Sequence, residues 1–358
     1  MPLPSVTRSP FGTLPDGTPV ARWTLDAGTG VRAEVLDLGG VLHRLDVPDP
    51  GGRTATVVLG HDTLGGYTAD TAYLGALIGR YANRIAHGRF ELDGTAHHVP
   101  ANDRGHALHG GPDGFHRRPW RATAESGRTR AALRLDLHSP DGDMGFPGAL
   151  HVTAVYTLER SGTLRLDWTA RTDRPTPVNL THHAYFNLAG PGRTDVLDHR
   201  LAVDADAYLP VDAAAIPLGA PVPTVGTPFD LRVPQRLGER LAHPDPQLRR
   251  AGGYDHCYVL APPPAPGALR RAARLHDPDS RRRMEVWTTE PGLQVYTGNG
   301  LDGTPHPRHA GVCLETQHFP DAPNRPGYPD TVLRPGTPRH STTEFRFPHL
   351  PAPPGELS

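Results

Sequence analysis

Apolar and polar residues alternate along much of this chain. The period of two is clearest over residues 133–137, 150–158 and 164–170, where every second residue is apolar. Because successive side chains of a strand point to opposite faces, this pattern predicts strands with one buried face, not helices. Shorter apolar or alternating runs predict further strands at 31–37, 55–59, 198–204, 255–260, 284–288, 293–297, 311–315 and 343–347.

Turn residues separate these runs. Asp93-Gly94 predicts a tight hairpin between residues 88 and 99, because both central residues of such a turn need positive φ. The 40 glycines and 41 prolines disfavour long helices. We therefore predict an all-β fold, a large antiparallel β-sandwich, as a single domain over residues 1–358, with residues 346–358 forming a loosely ordered tail.

Composition narrows the class of function. With 37 basic and 38 acidic residues the net charge is −1, so no basic excess favours nucleic acid. Two cysteines in 358 residues are neither a disulfide framework nor a zinc ribbon. The first residues lack the apolar core of a signal peptide, and no window approaches a membrane span. We expect a cytoplasmic protein that binds neither nucleic acid nor membrane.

Glu315 is the first candidate for chemistry. It follows the apolar run Val312-Cys313-Leu314 and precedes a loop that contains Asp-Ala-Pro-Asn. A carboxylate at the end of a buried strand is partly desolvated, which suits a base with a tuned pKa. The run alone equally allows a glutamate that caps a turn or pairs with an arginine.

Histidines supply the second set of candidates. His182 and His183 are adjacent, so in a strand at most one of them faces a given site. A partly buried histidine can give or take a proton near neutral pH, although it can also be a core residue bonded to a backbone carbonyl. His109 precedes two glycines, which let a ligand approach the backbone closely; otherwise it only caps a turn.

Arg84 and Asp255 are further candidates. The guanidinium of Arg84 is a planar fork of donors for hydroxyls or carboxylates, although a surface arginine is the ordinary alternative. Asp255 begins an apolar segment. Asp255 and Cys257 stand two residues apart, as do Cys313 and Glu315, so in strands each carboxylate shares a face with a thiol.

Two motifs are discounted. Residues 298–303 satisfy G-x-G-x-x-G, but Pro305 and Pro307 prevent the helix that would hold a pyrophosphate. Five histidines between residues 97 and 116 match no zinc-binding spacing. We predict no dinucleotide site, no other cofactor and no required metal.

Seven segments, in order from about residue 75 to 330, resemble the galactose mutarotase (aldose 1-epimerase) family. They are GRYANRIAHGRFELDG, HALHGG, SPDGDMGFPGAL, NLTHHAYFNLAG, GGYDHCY, GLQVYTGNG and GVCLETQHFPDAPN. Each segment is weakly specific, but seven in the family's order are strongly so. The family fold is a large antiparallel β-sandwich, in agreement with the strands predicted from periodicity.

The resemblance implies roles for individual residues. Glu315 matches the family's general base, His183 its general acid and His109 a second site histidine; many relatives carry Asn in place of His182. The positions that match residues holding sugar hydroxyls are Asn83, Arg84, Tyr185, Asp255 and Gln294. The implied protein is an isomerase, a monomer or homodimer. It interconverts the anomers of free hexoses such as galactose and glucose by acid/base ring opening and reclosure, without a cofactor.

Three alternatives remain at this point. A glycoside hydrolase would use Asp255 and Glu315 as a carboxylate pair. A sugar-binding protein with the same fold would catalyse nothing, although it need not retain both His183 and Glu315. A hexose-6-phosphate 1-epimerase would need an additional basic pocket, which the many arginines allow.

Overall fold

A computed structural model describes residues 2–190, 195–303 and 305–350. It is 43% strand and 8% helix. Every ladder between its strands is antiparallel. The expected all-β antiparallel architecture is therefore confirmed. Among the described residues, no helix is long and apolar enough to span a membrane.

The chain forms many short strands and a few short helices. The strands are β1 (Ser5–Thr13), β2 (Pro19–Asp26), β3 (Arg32–Leu36), β4 (Leu42–Pro48), β5 (Thr54–Thr56), β6 (Leu77–Ile78), β7 (Arg84–Ile85), β8 (Arg89–Leu92), β9 (Thr95–His98), β10 (Ala107–Leu108), β11 (Arg121–Ser126), β12 (Arg130–Ser139), β13 (Leu150–Glu159), β14 (Leu164–Thr172), β15 (Thr176–Pro177), β16 (Thr181–His182), β17 (Tyr185–Phe186), β18 (Arg200–Val203), β19 (Ala205–Tyr208), β20 (Val222–Pro223), β21 (Gln235–Arg236), β22 (Asp255–Leu260), β23 (Arg270–His276), β24 (Arg283–Thr288), β25 (Gly292–Tyr296), β26 (Val312–Gln317), β27 (Val332–Leu333) and β28 (Arg339–Arg346). The α-helices are α1 (Leu64–Ala69), α2 (Leu237–Leu241) and α3 (Pro246–Ala251), and 3-10 turns occur at Ala86–Gly88, Phe115–Arg117, Asp143–Gly145 and Ala322–Asn324.

Three sheets carry most of the structure. The largest has nine strands in the order β11-β12-β13-β14-β28-β24-β23-β18-β21. A six-stranded sheet has the order β17-β26-β25-β22-β19-β20, and a five-stranded sheet runs from β1 to β5 in chain order. One apolar core joins all three, since it includes Leu133 of the first sheet, Leu314 of the second and Val35 of the third.

The hairpin and the strand ends predicted from the sequence agree with the structure to different degrees. The hairpin at Asp93-Gly94 is confirmed: both residues have positive φ, 49° and 78°, and β8 pairs with β9 across them. The expectation that Glu315 ends its strand is wrong, because β26 continues to Gln317. The strand predicted at 55–59 is wrong in its second half, because β5 ends at Thr56.

The end of the chain is described only in part. Arg346 ends β28, Phe347 is buried, and the ring of His349 lies 2.9 Å from the carbonyl oxygen of Pro48. The remainder of the predicted loose tail, residues 351–358, lies outside the described residues. The single-domain organisation and the loose tail stay predictions.

Candidate active site

A pocket of about 310 Å³ gathers most of the candidate residues, and its size is typical of small-molecule sites. Its lining includes Asn83, Arg84, His109, His183, Tyr185, Asp255 and Glu315, together with Thr71, Ala72, Tyr73, Arg104, Leu108, Ala251, Tyr296, Asn299 and Gly300. Gln294 is not part of the lining, but it is buried and donates a hydrogen bond to Asp255 of the lining. The structure thus brings together the residues that the sequence singled out, with Gln294 set back from the surface.

The six-stranded sheet forms one wall of the pocket. Strand alternation on β26 sends Leu314 into the apolar core and Glu315 to the opposite face, toward the pocket. Gln294 on β25 lies directly opposite Glu315. Asp255 at the start of β22 lies opposite Tyr296, also on β25. Three neighbouring strands therefore fix the carboxylates relative to each other.

The opposite wall of the pocket is formed by the short antiparallel pair of β7 and β10. Its register places His109 beside Asn83, and two hydrogen bonds join these residues. In the first, the backbone N–H of His109 donates to the carbonyl of Asn83 at 3.1 Å. In return the N–H of Asn83 donates to Nδ1 of His109 at 3.1 Å. Asn83 and His109 both adopt positive φ, 61° and 53°, a region that few residues other than glycine occupy but in which Asn and His are enriched.

This contact determines the tautomer of His109. A backbone N–H can only donate, so Nδ1 must be the acceptor and the hydrogen of the neutral ring is on Nε2. Burial, followed by the nearby His183 and Arg84, lowers the pKa of His109 well below its ordinary value. His109 is therefore a neutral group that offers one N–H donor to the pocket.

Glu315 and His183 are the closest acid–base pair in the pocket. Oε1 of Glu315 lies 3.7 Å from Nε2 of His183, and the two residues are only 2% and 4% exposed. Burial, followed by the negative charge of Asp255, raises the pKa of Glu315 well above its usual range, while Arg84 acts in the opposite direction. Burial lowers the pKa of His183 to about 4. Burial thus acts toward a protonated carboxyl beside a neutral imidazole, a form in which the pair shares one titratable proton.

The two adjacent histidines have different surroundings. Nδ1 of His183 contacts the Cys313 thiol at 3.5 Å, and burial raises the pKa of that thiol well above its usual value. The ring of His182 packs on the other side, 5.9 Å from the rings of Tyr156 and Phe345, and burial lowers its pKa to about 3. Only His183 lines the pocket, in agreement with strand alternation.

The arginine candidate is buried and paired, unlike an ordinary surface arginine. Nε of Arg84 donates to Asp103 at 2.8 Å, and its Nη1 lies 3.9 Å from Asp255. Nε2 of Gln294 donates to the same Asp255 at 2.6 Å. Arg104, at the pocket rim, also lies 3.6 Å from Asp103. Both arginines of the pocket therefore have carboxylate partners.

The tyrosines of the pocket are partly committed to structure. The hydroxyl of Tyr185 donates to the carbonyl of Ala72 at 2.9 Å, so its hydrogen is already in use. The hydroxyl of Tyr296 accepts from the N–H of Gly300 at 2.7 Å. Sequence reasoning missed Tyr296, although it stands two residues after Gln294 in a predicted strand. It also missed Tyr73, which lies in a loop without periodicity.

A metal could in principle use three of these groups. The ligand atoms of His109, His183 and Glu315 all lie within 4.8 Å of one another, and two histidines with one carboxylate are a common zinc set. However, Nε2 of His109 carries its hydrogen while Nδ1 accepts from Asn83, so metal binding there would break that hydrogen bond. The donor set therefore fits a metal poorly, and the predicted independence of metal stays a prediction.

The glycine-rich segment at 298–303 lies at the pocket mouth. No helix begins in residues 298–303 or 305–311 of the described chain, which leaves no helix terminus for a pyrophosphate. Asn299 and Gly300 from this segment line the pocket.

Known proteins are similar to this chain in both sequence and fold. A family model described as aldose 1-epimerase matches residues 21–346. A galactose mutarotase of Homo sapiens is 42% identical over 355 residues, 96% of this chain and 99% of its own. An aldose 1-epimerase of Escherichia coli K12 is 38% identical over 342 residues, 93% and 96% of the two chains.

Solved structures of epimerases also match the fold of this chain. The crystal structure of a galactose 1-epimerase from Lactobacillus acidophilus matches with a TM-score of 0.86 at 27% identity, covering 96% of this chain and 98% of that one. An aldose epimerase homologue from C. elegans matches with a TM-score of 0.81 at 27% identity, covering 90% and 97%.

Proposed function

The chain belongs to the aldose 1-epimerase family, and we propose that it interconverts the α and β anomers of free hexoses such as galactose and glucose at the pocket described above. Membership makes it an isomerase, an aldose 1-epimerase. The observation that carries the site assignment is the buried pair of Glu315 and His183, 3.7 Å apart in a pocket of about 310 Å³.

The proposed reaction needs one base and one acid. Glu315 takes the proton of the anomeric hydroxyl as the bond between C1 and the ring oxygen breaks. The electron pair goes to the ring oxygen, which receives a proton from His183. The open aldehyde end rotates about the bond between C1 and C2. Closure on the other face of the carbonyl, with the two roles reversed, gives the other anomer.

The proton shared by the pair suits this cycle. Before ring opening, the proton must move from the carboxyl of Glu315 to the imidazole of His183, which creates base and acid together. Ring opening then returns Glu315 to the protonated form and His183 to the neutral form, the state that burial favours. No proton has to be exchanged with solvent during turnover.

The remaining groups suit recognition of hydroxyls. His109 offers one neutral N–H donor. Arg84 and Asp255 are held by neighbours, so their orientations are set before a sugar binds. Gln294 contributes through Asp255, and Asn83 through His109.

Two alternatives are less well supported. A hydrolytic carboxylate pair would need Asp255 as the partner of Glu315, yet Asp255 is engaged by Arg84 and Gln294, and the nearest titrating partner of Glu315 is His183. A binding protein without activity would not need a buried carboxyl beside an imidazole, an arrangement that costs folding free energy.

The phosphorylated alternative is also disfavoured. A 6-phosphate dianion would need cationic partners, but Arg84 and Arg104 both lie beside Asp103, at 2.8 and 3.6 Å. A phosphate would therefore have to compete with Asp103 for these arginines. Free aldoses carry no charge and need no such cation.

Polarimetry tests the proposal. Fresh α-D-galactose and α-D-glucose should relax to the equilibrium rotation faster with the purified protein than without it, while their 6-phosphates should not. Acceleration of the 6-phosphates alone, or of neither, would refute the proposal; release of p-nitrophenol from aryl glycosides would favour hydrolysis. The cytoplasmic location and the monomeric or homodimeric state stay predictions.

A further inference from the structure

His183 is placed where a positive charge is costly. Under the proposed function, on which this inference rests, His183 carries a second ring proton for part of each turnover. It is almost fully buried, and burial lowers its pKa to about 4. Something in its surroundings must offset this cost if the imidazolium is to form at a useful rate.

Two tyrosine rings lie against the imidazole. The ring centroid of Tyr185 is 5.1 Å from that of His183, with a tilt of 41°, and the ring of Tyr73 is 5.8 Å away with a tilt of 35°. Both separations are below 6 Å, and both tyrosine rings are tilted against the imidazole, not perpendicular to it. A π face attracts a cation within about 6 Å.

The other groups around His183 come from four further places. They are Glu315 and Cys313 of β26, Tyr296 of β25 at 6.4 Å, His109 after β10 at 5.2 Å, and the negative charge of Asp70 before β6. The thiol of Cys313 is neutral because burial raises its pKa, and His109 is neutral as well. Besides the carboxylates, a backbone contact favours the charged form of His183, and the rings of Tyr73 and Tyr185 lie close enough to add to this stabilisation.

The backbone at Tyr73 is held in an unfavourable conformation. Tyr73 has φ of 59°, which is costly for a bulky residue. The carboxylate of Asp70 fixes the segment by accepting from the N–H groups of Ala72 at 3.0 Å and Leu74 at 2.8 Å. The hydroxyl of Tyr73 makes a long 3.5 Å contact with Asn102, and its ring also meets the rings of His109 at 4.6 Å and His116 at 4.7 Å edge-on.

We propose that Tyr73, together with Tyr185, is a positioning residue that stabilises the protonated form of His183 through the π face of its ring. The sugar then need not supply this stabilisation, and the proton of the pair can reach His183 before ring opening. Tyr73 acts through His183 and is not itself a proton donor or acceptor in the reaction.

Graded replacement of the ring tests this inference. Tyr73→Phe keeps the π face and should retain kcat within about twofold. Tyr73→4-fluorophenylalanine, Tyr73→3,5-difluorophenylalanine and Tyr73→3,4,5-trifluorophenylalanine keep nearly the same shape while weakening the π face stepwise. We expect kcat at pH 7 to fall with each fluorine, to about one fifth for the trifluoro ring, with KM for galactose unchanged. The kcat of Tyr73→Leu, which has no aromatic ring, should fall at least as far as that of the trifluoro variant.

Controls separate this inference from the function itself. The same trifluoro replacement at Tyr328, a part-buried tyrosine that packs on Phe319 outside the pocket, should leave kcat unchanged. Equal kcat along the fluorinated series would overturn the inference, as would a change in KM alone, which would mean that the ring meets the sugar instead. Absence of activity in the unmodified protein would instead remove the proposed function. Because the fluorinated rings are nearly isosteric with phenylalanine, the test does not depend on the leucine variant folding.

Discussion

Replacement of His109 separates hydrogen bonding from proton transfer. Its Nδ1 accepts from the N–H of Asn83 at 3.1 Å, so only Nε2–H can reach a sugar. In His109→Asn the amide oxygen can still accept from Asn83 while the amide nitrogen donates from a shorter arm. His109→Ala removes both functions. His183→Asn is the matched comparison, because an amide cannot deliver a proton.

The losses expected for the two asparagine variants differ by roughly tenfold or more. A neutral hydrogen bond contributes about 0.5–1.5 kcal/mol, so His109→Asn should lower kcat/KM by roughly 2–12-fold. Loss of a general acid costs about 10²–10⁴-fold, which is the range expected for His183→Asn. His109→Ala also leaves the buried N–H of Asn83 without its acceptor, so the free energy of unfolding should fall by about 1–3 kcal/mol.

Polarimetric initial rates over a range of galactose concentrations measure kcat and KM for each variant, and thermal unfolding monitors the fold. Most of the loss in His109→Asn should appear in KM, because the hydrogen bond is made before and during the reaction. A loss in His109→Asn as deep as in His183→Asn, confined to kcat, would refute the assignment of His109 as a neutral donor.

Three further predictions address pH, stability and metal. The pKa of His183 is lowered to about 4, so the mutarotation rate should still be high at pH 5.5 and should fall only at lower pH. A rate that has already dropped to half its maximum near pH 6.5 on the acidic side would contradict the shared proton of Glu315 and His183. Burial alone would raise the pKa of Glu290, but His318 at 2.6 Å lowers it below its usual value, so Glu290 contributes stability above its unfolded pKa that is lost as pH falls through its folded pKa. Glu290→Gln should therefore lose less stability than the parent below pH 4.5 in urea unfolding, and an identical pH dependence in both proteins would count against this. Mutarotation should survive dialysis against EDTA, and a loss restored by zinc would overturn the metal-free mechanism.

Much of the sheet structure follows from the sequence because strand alternation is a local property. Residues 150–158 and 164–170 became β13 and β14, and the Asp93-Gly94 turn formed as its chemistry requires. The extent of β26 did not follow, because Thr316 and Gln317 are polar residues buried by their neighbours in space. Local patterns carry no information about such burial.

The candidate site was predictable where a motif was present. His183 and Glu315 came from motifs, and the structure places them 3.7 Å apart. Asp103, the partner of Arg84, and Tyr73, the neighbour of His109 and His183, could not be found, because each lies in a loop whose contacts are made through the fold. Tertiary pairing, not local pattern, decides which loop residues meet.

Glu315→Gln tests the central claim most directly, because it keeps the shape of the side chain and removes its ability to accept a proton. Glu290→Gln is the matched control: Glu290 is also a buried glutamate with a histidine partner, but it lies outside the pocket. Polarimetry gives the rate, and calorimetry gives the affinity for galactose.

We predict that Glu315→Gln lowers the mutarotation rate by about 10²-fold or more with little change in galactose affinity. Glu315→Asp should be nearly as damaging, because the shorter arm withdraws the carboxylate from the anomeric proton. Glu290→Gln should keep the parent rate at pH 7. A Glu315→Gln variant within a few-fold of the parent would contradict the account and move the assignment of the base to Asp255.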